Sequence, residues 1–103
     1  MSKDFDGKTI LIVEDEFIVG SDLGQIVADA GANAVLANTA SSASAKLAET
    51  QFDAVILDIH LQDESTYPVA DELRRRAIPF VDKPFTTETV TNVLKNLLTQ
   101  PTH

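Results

Sequence analysis

Apolar residues recur along this chain in two alternating rhythms. Thr9-Ile10-Leu11-Ile12-Val13 is a continuous, largely β-branched run, the pattern of a strand covered on both faces in a parallel sheet. Glu14-Asp15-Glu16 ends it. Phe17, Ile18, Leu23, Ile26, Val27 and Ala30 then fall near helical spacing and predict a helix, with Gly31 suited to its C-terminal cap, where positive φ is wanted. Ala34-Val35-Leu36-Ala37 predicts a short second strand. Residues 40–49, rich in Ala and Ser, predict a helix with Leu47 pointing inward. Phe52-Asp53-Ala54-Val55-Ile56-Leu57 predicts a third strand with Asp58 at its end, followed by a polar loop over 59–66. Pro68 suits the first turn of a helix running to about Arg76. Ile78-Pro79-Phe80-Val81 predicts a fourth strand, with Pro79 at an edge or strand start because it has no N–H. Val90, Val93, Leu94, Leu97 and Leu98 follow i, i+3, i+4, i+7, i+8 and predict a last helix that ends near Pro101.

Strands alternate with helices throughout, which predicts an α/β fold: a parallel sheet with helices on both faces and right-handed crossovers. In such folds the ligand crevice lies beyond the carboxyl ends of the strands. A chain of 103 residues fits one domain. Its 16 acidic against 8 basic residues, a formal net charge of −8, disfavour nucleic acid and anionic membrane as partners. The one basic run, Arg74-Arg75-Arg76, reads as a solvated helix end, where cations are favoured. With no cysteine, disulfides, thiolate nucleophiles and cysteine-bound zinc are excluded. His60 and His103 are too few and too far apart to suggest a histidine metal site. Met1 to Asp6 form no apolar segment, so no secretory leader is expected; no apolar run approaches about 20 residues, and a cytoplasmic location is expected.

The strand ends concentrate charge. Glu14 and Asp15 follow the first strand, Asp58 the third, and Lys83 closes the fourth. Taken singly, each has a plain structural reading: a helix cap, a turn residue, a surface lysine. If strands one and three are neighbours, three carboxylates converge, repelling at roughly 4 kcal/mol per pair at ~4 Å and an effective dielectric near 20. A hard divalent cation with oxygen ligands offsets that, and Mg²⁺ is the usual one beside phosphate. Carboxylate, Mg²⁺ and lysine together suggest phosphoryl transfer to Asp58 as an acyl phosphate, with the metal and Lys83 neutralising phosphoryl charge.

These residues resemble the response-regulator receiver domains of two-component signalling. The likeness is carried by Ile10-Leu11-Ile12-Val13-Glu14-Asp15-Glu16, Ala54-Val55-Ile56-Leu57-Asp58-Ile59-His60-Leu61 and Asp82-Lys83-Pro84-Phe85, with Tyr67-Pro68-Val69-Ala70-Asp71-Glu72-Leu73 similar to the third helix. Together they span residues 8–98 in order. The resemblance implies that Asp58 is the phosphoacceptor, that Glu14 and Asp15 hold Mg²⁺, and that His60 ligates the metal through its backbone carbonyl. It also implies that Lys83, followed by a family-typical cis Pro84, contacts phosphate and that Phe80 is the aromatic switch. The fold implied is flavodoxin-like and doubly wound, here reduced to four parallel strands in the order 2-1-3-4. Helices one and four are expected on one face, helices two and three on the other.

The chain departs from the family in one region. Lys83 comes only five positions after Ile78, so by comparison with the family roughly twenty residues are missing, the size of one strand-helix unit. Residues 78–85 match the family's fifth strand well and the start of its fourth almost equally well. The switch Ser/Thr has no counterpart, and the fourth-helix surface is absent. The edge beside the third strand and the apolar Leu61, Ile78 and Phe80 are then expected to lie uncovered, which makes a homodimer, with or without exchanged elements, an expectation. The preferred function is a single-domain receiver with no output domain, not a turnover enzyme. It would take a phosphoryl group from a histidine kinase or phosphotransfer protein and act on a downstream protein. The alternatives are a degenerate receiver serving as a phosphorylation-independent interaction or dimerisation module, and a Mg²⁺-dependent phosphotransfer enzyme.

Overall fold

In the computed structural model, residues 6–57 and 67–82 are described, positions 81 and 82 by backbone alone. Seven elements alternate along them: β1 (Thr9–Val13), α1 (Phe17–Asp29), β2 (Asn33–Ala37), α2 (Ala40–Glu49), β3 (Ala54–Leu57), α3 (Tyr67–Arg75) and β4 (Phe80–Asp82). The four strands form one sheet in the order β2-β1-β3-β4, every neighbouring pair parallel. That is the expected order. The last helix, near 90–98, lies outside the described residues, as do Asp58, His60, Leu61, Lys83 and Pro84.

The alternation of side chains along β1 builds two cores. Leu11 and Val13 face one side with Val55 and Leu57 of β3, under Ala43 and Leu47 of α2 and Val69 and Leu73 of α3. Ile10 and Ile12 face the other side with Ala54 and Ile56, under Leu23 and Val27 of α1. Ile10 through Val13 are thus wholly enclosed, which is why the run carries no polar residue. Helices two and three share one face, as expected, and α1 takes the other.

Each junction has a local cause. Thr39 caps α2 through its Oγ1, which accepts from Ser42 N–H at 3.0 Å. Gly31 ends α1 with φ 99°, while Ala32 N–H donates back to Val27 O at 3.2 Å. The same turn ends α3, where Ala77 takes φ 57° and Ile78 N–H donates to Leu73 O at 2.9 Å. Pro79 stands just before β4, and its carbonyl accepts from Val55 N–H at 3.0 Å, so the missing amide leaves the ladder intact.

Three expectations need correction. Phe17 and Ile18 do not join the core: they are 86% and 73% exposed. The buried stripe of α1 runs through Gly20, Leu23, Gly24 and Val27, which puts Ile18 on the opposite face and leaves Phe17 exposed at the start of the helix. Strand boundaries also shift. β2 starts at Asn33, β3 at Ala54 rather than Phe52, and β4 at Phe80 rather than Ile78. Finally, β3 has no bare edge, because β4 pairs along it and half-buried Ile78 and Phe80 pack against the core under α2 and α3.

The run Arg74-Arg75-Arg76 divides between three tasks, because successive helical residues point about 100° apart. Arg75 is exposed and pairs with Glu72. Arg76 donates through Nη1 to Leu47 O of α2 at 3.0 Å and lies 3.6 Å from Glu72 Oε2. Arg74 pairs with Asp71 at 3.2 Å and sets its guanidinium over the Phe80 ring, 5.4 Å from the centroid.

Candidate functional site

Parallel strands deliver their carboxyl ends to one edge. The register makes this quantitative: Val13 of β1 is level with Leu57 of β3, and Leu57 is level with Asp82 of β4. The next residues in the sequence are Glu14, Asp58 and Lys83. Asp58, His60 and Lys83 themselves lie outside the described residues, so their side-chain geometry is not part of the site as described.

Glu14 is the anchor of the described part. Its backbone N–H donates to Ala37 O at 2.9 Å, extending the β1–β2 ladder one step past the strands. The residue is only 4% exposed, the one charged member of the described interior. Its Oε1 accepts from Glu16 N–H at 3.1 Å, so the carboxylate braces the turn into α1, of which Glu16 is the N-cap residue. A carboxylate is favoured there by the positive end of the helix. Asp15, next in sequence, is exposed. The two side chains therefore divide into one fixed inner carboxylate and one outer carboxylate open to solvent. Among the described residues, no three acidic or histidine side chains gather closely enough to hold a metal ion.

Phe80 sits where the resemblance puts the aromatic switch, at the start of β4, level with Val55. It is half-buried between the α3 end and the core. A cavity of about 330 Å³ opens between the β1–α1 turn and the end of β2, lined by Glu14, Phe17, Gly20, Ser21, Leu36 and Asn38 among others. Glu14 and Asp15, two of the three carboxylates expected to converge, stand in its wall, on the β2 flank of β1. Sequence reading missed this cavity. Its signal was available in Gly20, which occupies the buried stripe of α1: a Cβ built there would stand 3.1 Å from Leu36 Cδ2 and 3.6 Å from Glu14 Cβ.

Among the described residues no helix is long and apolar enough to cross a membrane. No curated protein sequence matches the chain. Solved structures do. The response regulator TrrA of Thermotoga maritima, in complex with Mg²⁺ and BeF, is 24% identical with a TM-score of 0.75, over 88% of this chain and 99% of that one. The chemotaxis response regulator CheY4 of Vibrio cholerae is 19% identical with a TM-score of 0.78, over 88% and 98%. The response regulator PhyR of Brucella abortus is 24% identical with a TM-score of 0.78, over 88% of this chain and 47% of its own. These likenesses speak to the fold. The sequence profile of the response regulator receiver domain matches residues 10–94, most of the chain. With four parallel strands in receiver order and that match, the chain belongs to the response regulator receiver domain family of two-component signalling.

Proposed function

We propose that residues 1–103 act as a single cytoplasmic receiver domain that accepts a phosphoryl group on Asp58. The observation that carries this reading is the common level of Val13, Leu57 and Asp82 in three adjacent parallel strands. Glu14, Asp58 and Lys83 each continue the chain from that level. In an open parallel sheet that edge is where ligands bind, so a phosphoryl group would meet all three residue types there.

The transfer balances simply. A carboxylate oxygen of Asp58 forms a bond to phosphorus as the bond from phosphorus to the donor phosphohistidine nitrogen breaks. The electron pair goes to that nitrogen. Asp58 needs no general base, since a carboxylate is ionised at neutral pH. Lys83 supplies an ammonium to the phosphoryl oxygens.

The donor chemistry at β1 fits Mg²⁺. Glu14 and Asp15 offer hard oxygen ligands, one held inside and one facing solvent. In this reading Glu14, Asp15, Asp58 and the His60 carbonyl hold the ion, which when bound neutralises charge on the transferring group. The complex of TrrA with Mg²⁺ and BeF supports the choice of metal. Phe80 serves as the aromatic that reads the phosphoryl state. A histidine kinase or phosphotransfer protein supplies the group, and a protein target or a second copy of the chain receives the signal. The chain signals and does not turn over a substrate.

The test is the intact mass after incubation with Mg²⁺ and a small-molecule phosphodonor. Addition of one phosphoryl group is expected, lost without Mg²⁺ and lost in Asp58→Ala. An equal increase in Asp58→Ala would overturn the assignment of the acceptor. A second reading, a phosphorylation-independent interaction module, is favoured by the exposed Phe17 and Ile18. It predicts that partner capture survives Asp58→Ala unchanged.

A further inference from the structure

We propose that Arg74 is a positioning residue, its guanidinium on the Phe80 ring latching the C-terminal end of α3 to the strand that leads to the phosphoryl site. This rests on the phosphoacceptor reading above, and it assigns a readout path to a chain without the family's switch hydroxyl.

The geometry supplies both ends of the latch. Arg74 Cζ stands 5.4 Å from the Phe80 centroid, inside the range of a cation–π contact. Asp71, one turn earlier on α3, holds the same guanidinium at 3.2 Å. Phe80 is not a loose surface ring. It is half-buried, and it stands level with Val55, two residues before Asp82 and three before Lys83. The covalent connection beside the latch is short. After Arg75 the chain reaches β4 through Arg76, Ala77, Ile78 and Pro79, fixed by the Ile78 to Leu73 hydrogen bond and by Pro79 O to Val55. A rigid four-residue tether and a ring-on-cation contact make α3 and β4 move together. A displacement at the end of β4 therefore reaches the outer surface of α3, where the Arg74 side chain is 61% exposed to a partner.

The chain has no tryptophan, so Phe80→Trp installs a single reporter beneath the guanidinium. Three proteins are compared: Phe80→Trp alone, the same with Arg74→Gln, and the same with Arg74→Lys. Each is titrated with Mg²⁺ and beryllofluoride, read by indole emission and, in the same samples, by fluorine NMR of the bound anion. Without ligand, Arg74→Gln shifts the emission and Arg74→Lys returns it toward the parent. With ligand, Arg74→Gln weakens the apparent beryllofluoride affinity about two- to five-fold, the equivalent of one exposed cation–π contact. Arg74→Lys recovers most of that loss, and the indole responds to ligand in the parent but not in the glutamine variant. A merely structural arginine would give none of this ring-specific signal. Identical ligand-free emission in all three proteins overturns the latch. Equal affinities in parent and Arg74→Gln, with bound anion present, overturn its coupling to the site. Absence of bound anion in every protein defeats the phosphoacceptor reading instead, and the ligand-free emission then decides the latch alone.

Discussion

Replacing Ala77 by glycine should stabilise the protein. Ala77 occupies the left-handed region at φ 57°, where its Cβ crowds the following carbonyl and an L residue loses about 1–2 kcal/mol. Glycine removes that strain but has more backbone freedom to lose on folding, about 0.5–1 kcal/mol. Ala77 is exposed, so deleting its methyl sacrifices little packing. The difference leaves a net gain of about 0.5–1 kcal/mol, which for a domain of this size raises Tm by about 2–8 °C. The molecule contains its own control. Gly31 makes the same helix-ending turn at φ 99°, so Gly31→Ala should lower stability by about 1 kcal/mol. Thermal unfolding followed by far-ultraviolet circular dichroism reads both. A lower Tm for Ala77→Gly together with an unchanged Tm for Gly31→Ala would refute the backbone argument. The turn would then be set by something other than its φ angle.

Gly24→Ala should also stabilise, by about 1 kcal/mol from helix propensity, because the added Cβ meets Ala34 Cβ at 3.9 Å and Ile12 Cδ1 at 4.0 Å, ordinary contacts. A fall in the urea midpoint would mean that α1 packs closer to β2 than described. Arg76→Ala should cost about 1–2 kcal/mol in chemical denaturation, since it leaves Leu47 O without its Nη1 donor and removes the Glu72 partner, while Arg75→Ala should stay within about 0.5 kcal/mol. Equal losses for the two arginines would contradict the division of labour within the basic run.

The strands were legible because enclosure on both faces demands uninterrupted apolar runs, as in Ile10–Val13 and Ala54–Leu57, while their order came from the family resemblance. The caps were legible too, at Gly31 by its freedom of φ and at Pro79 by its missing amide. What escaped was set by small residues. Gly20 and Gly24 carry no hydrophobic signal, yet they define the buried stripe of α1, and counting only large side chains assigned Phe17 and Ile18 to it. Phe52 misled in the other direction: it is buried in the core, but before the strand begins. The separate tasks of Arg74, Arg75 and Arg76 were also invisible, since a run of like charges says nothing about the three directions in which a helix points it. Of the candidate site, the described residues contain Glu14 and Asp15, which directly follow β1, and Phe80, which opens β4.

The pairing of β4 with β3 bears on how a receiver tolerates loss of sequence. A doubly wound sheet has translational phase: each helix-plus-strand step returns the chain to the same end of the sheet, travelling in the same direction. Excising one whole step leaves that phase unchanged. The strand that then neighbours β3 is still parallel to it with its carboxyl end alongside, as Asp82 of β4 is level with Leu57. Excising half a step would reverse the strand and carry its terminal residues to the far side of the molecule. Truncations that respect the period are therefore the ones this architecture can absorb, and a gap of one complete unit is the smallest of them.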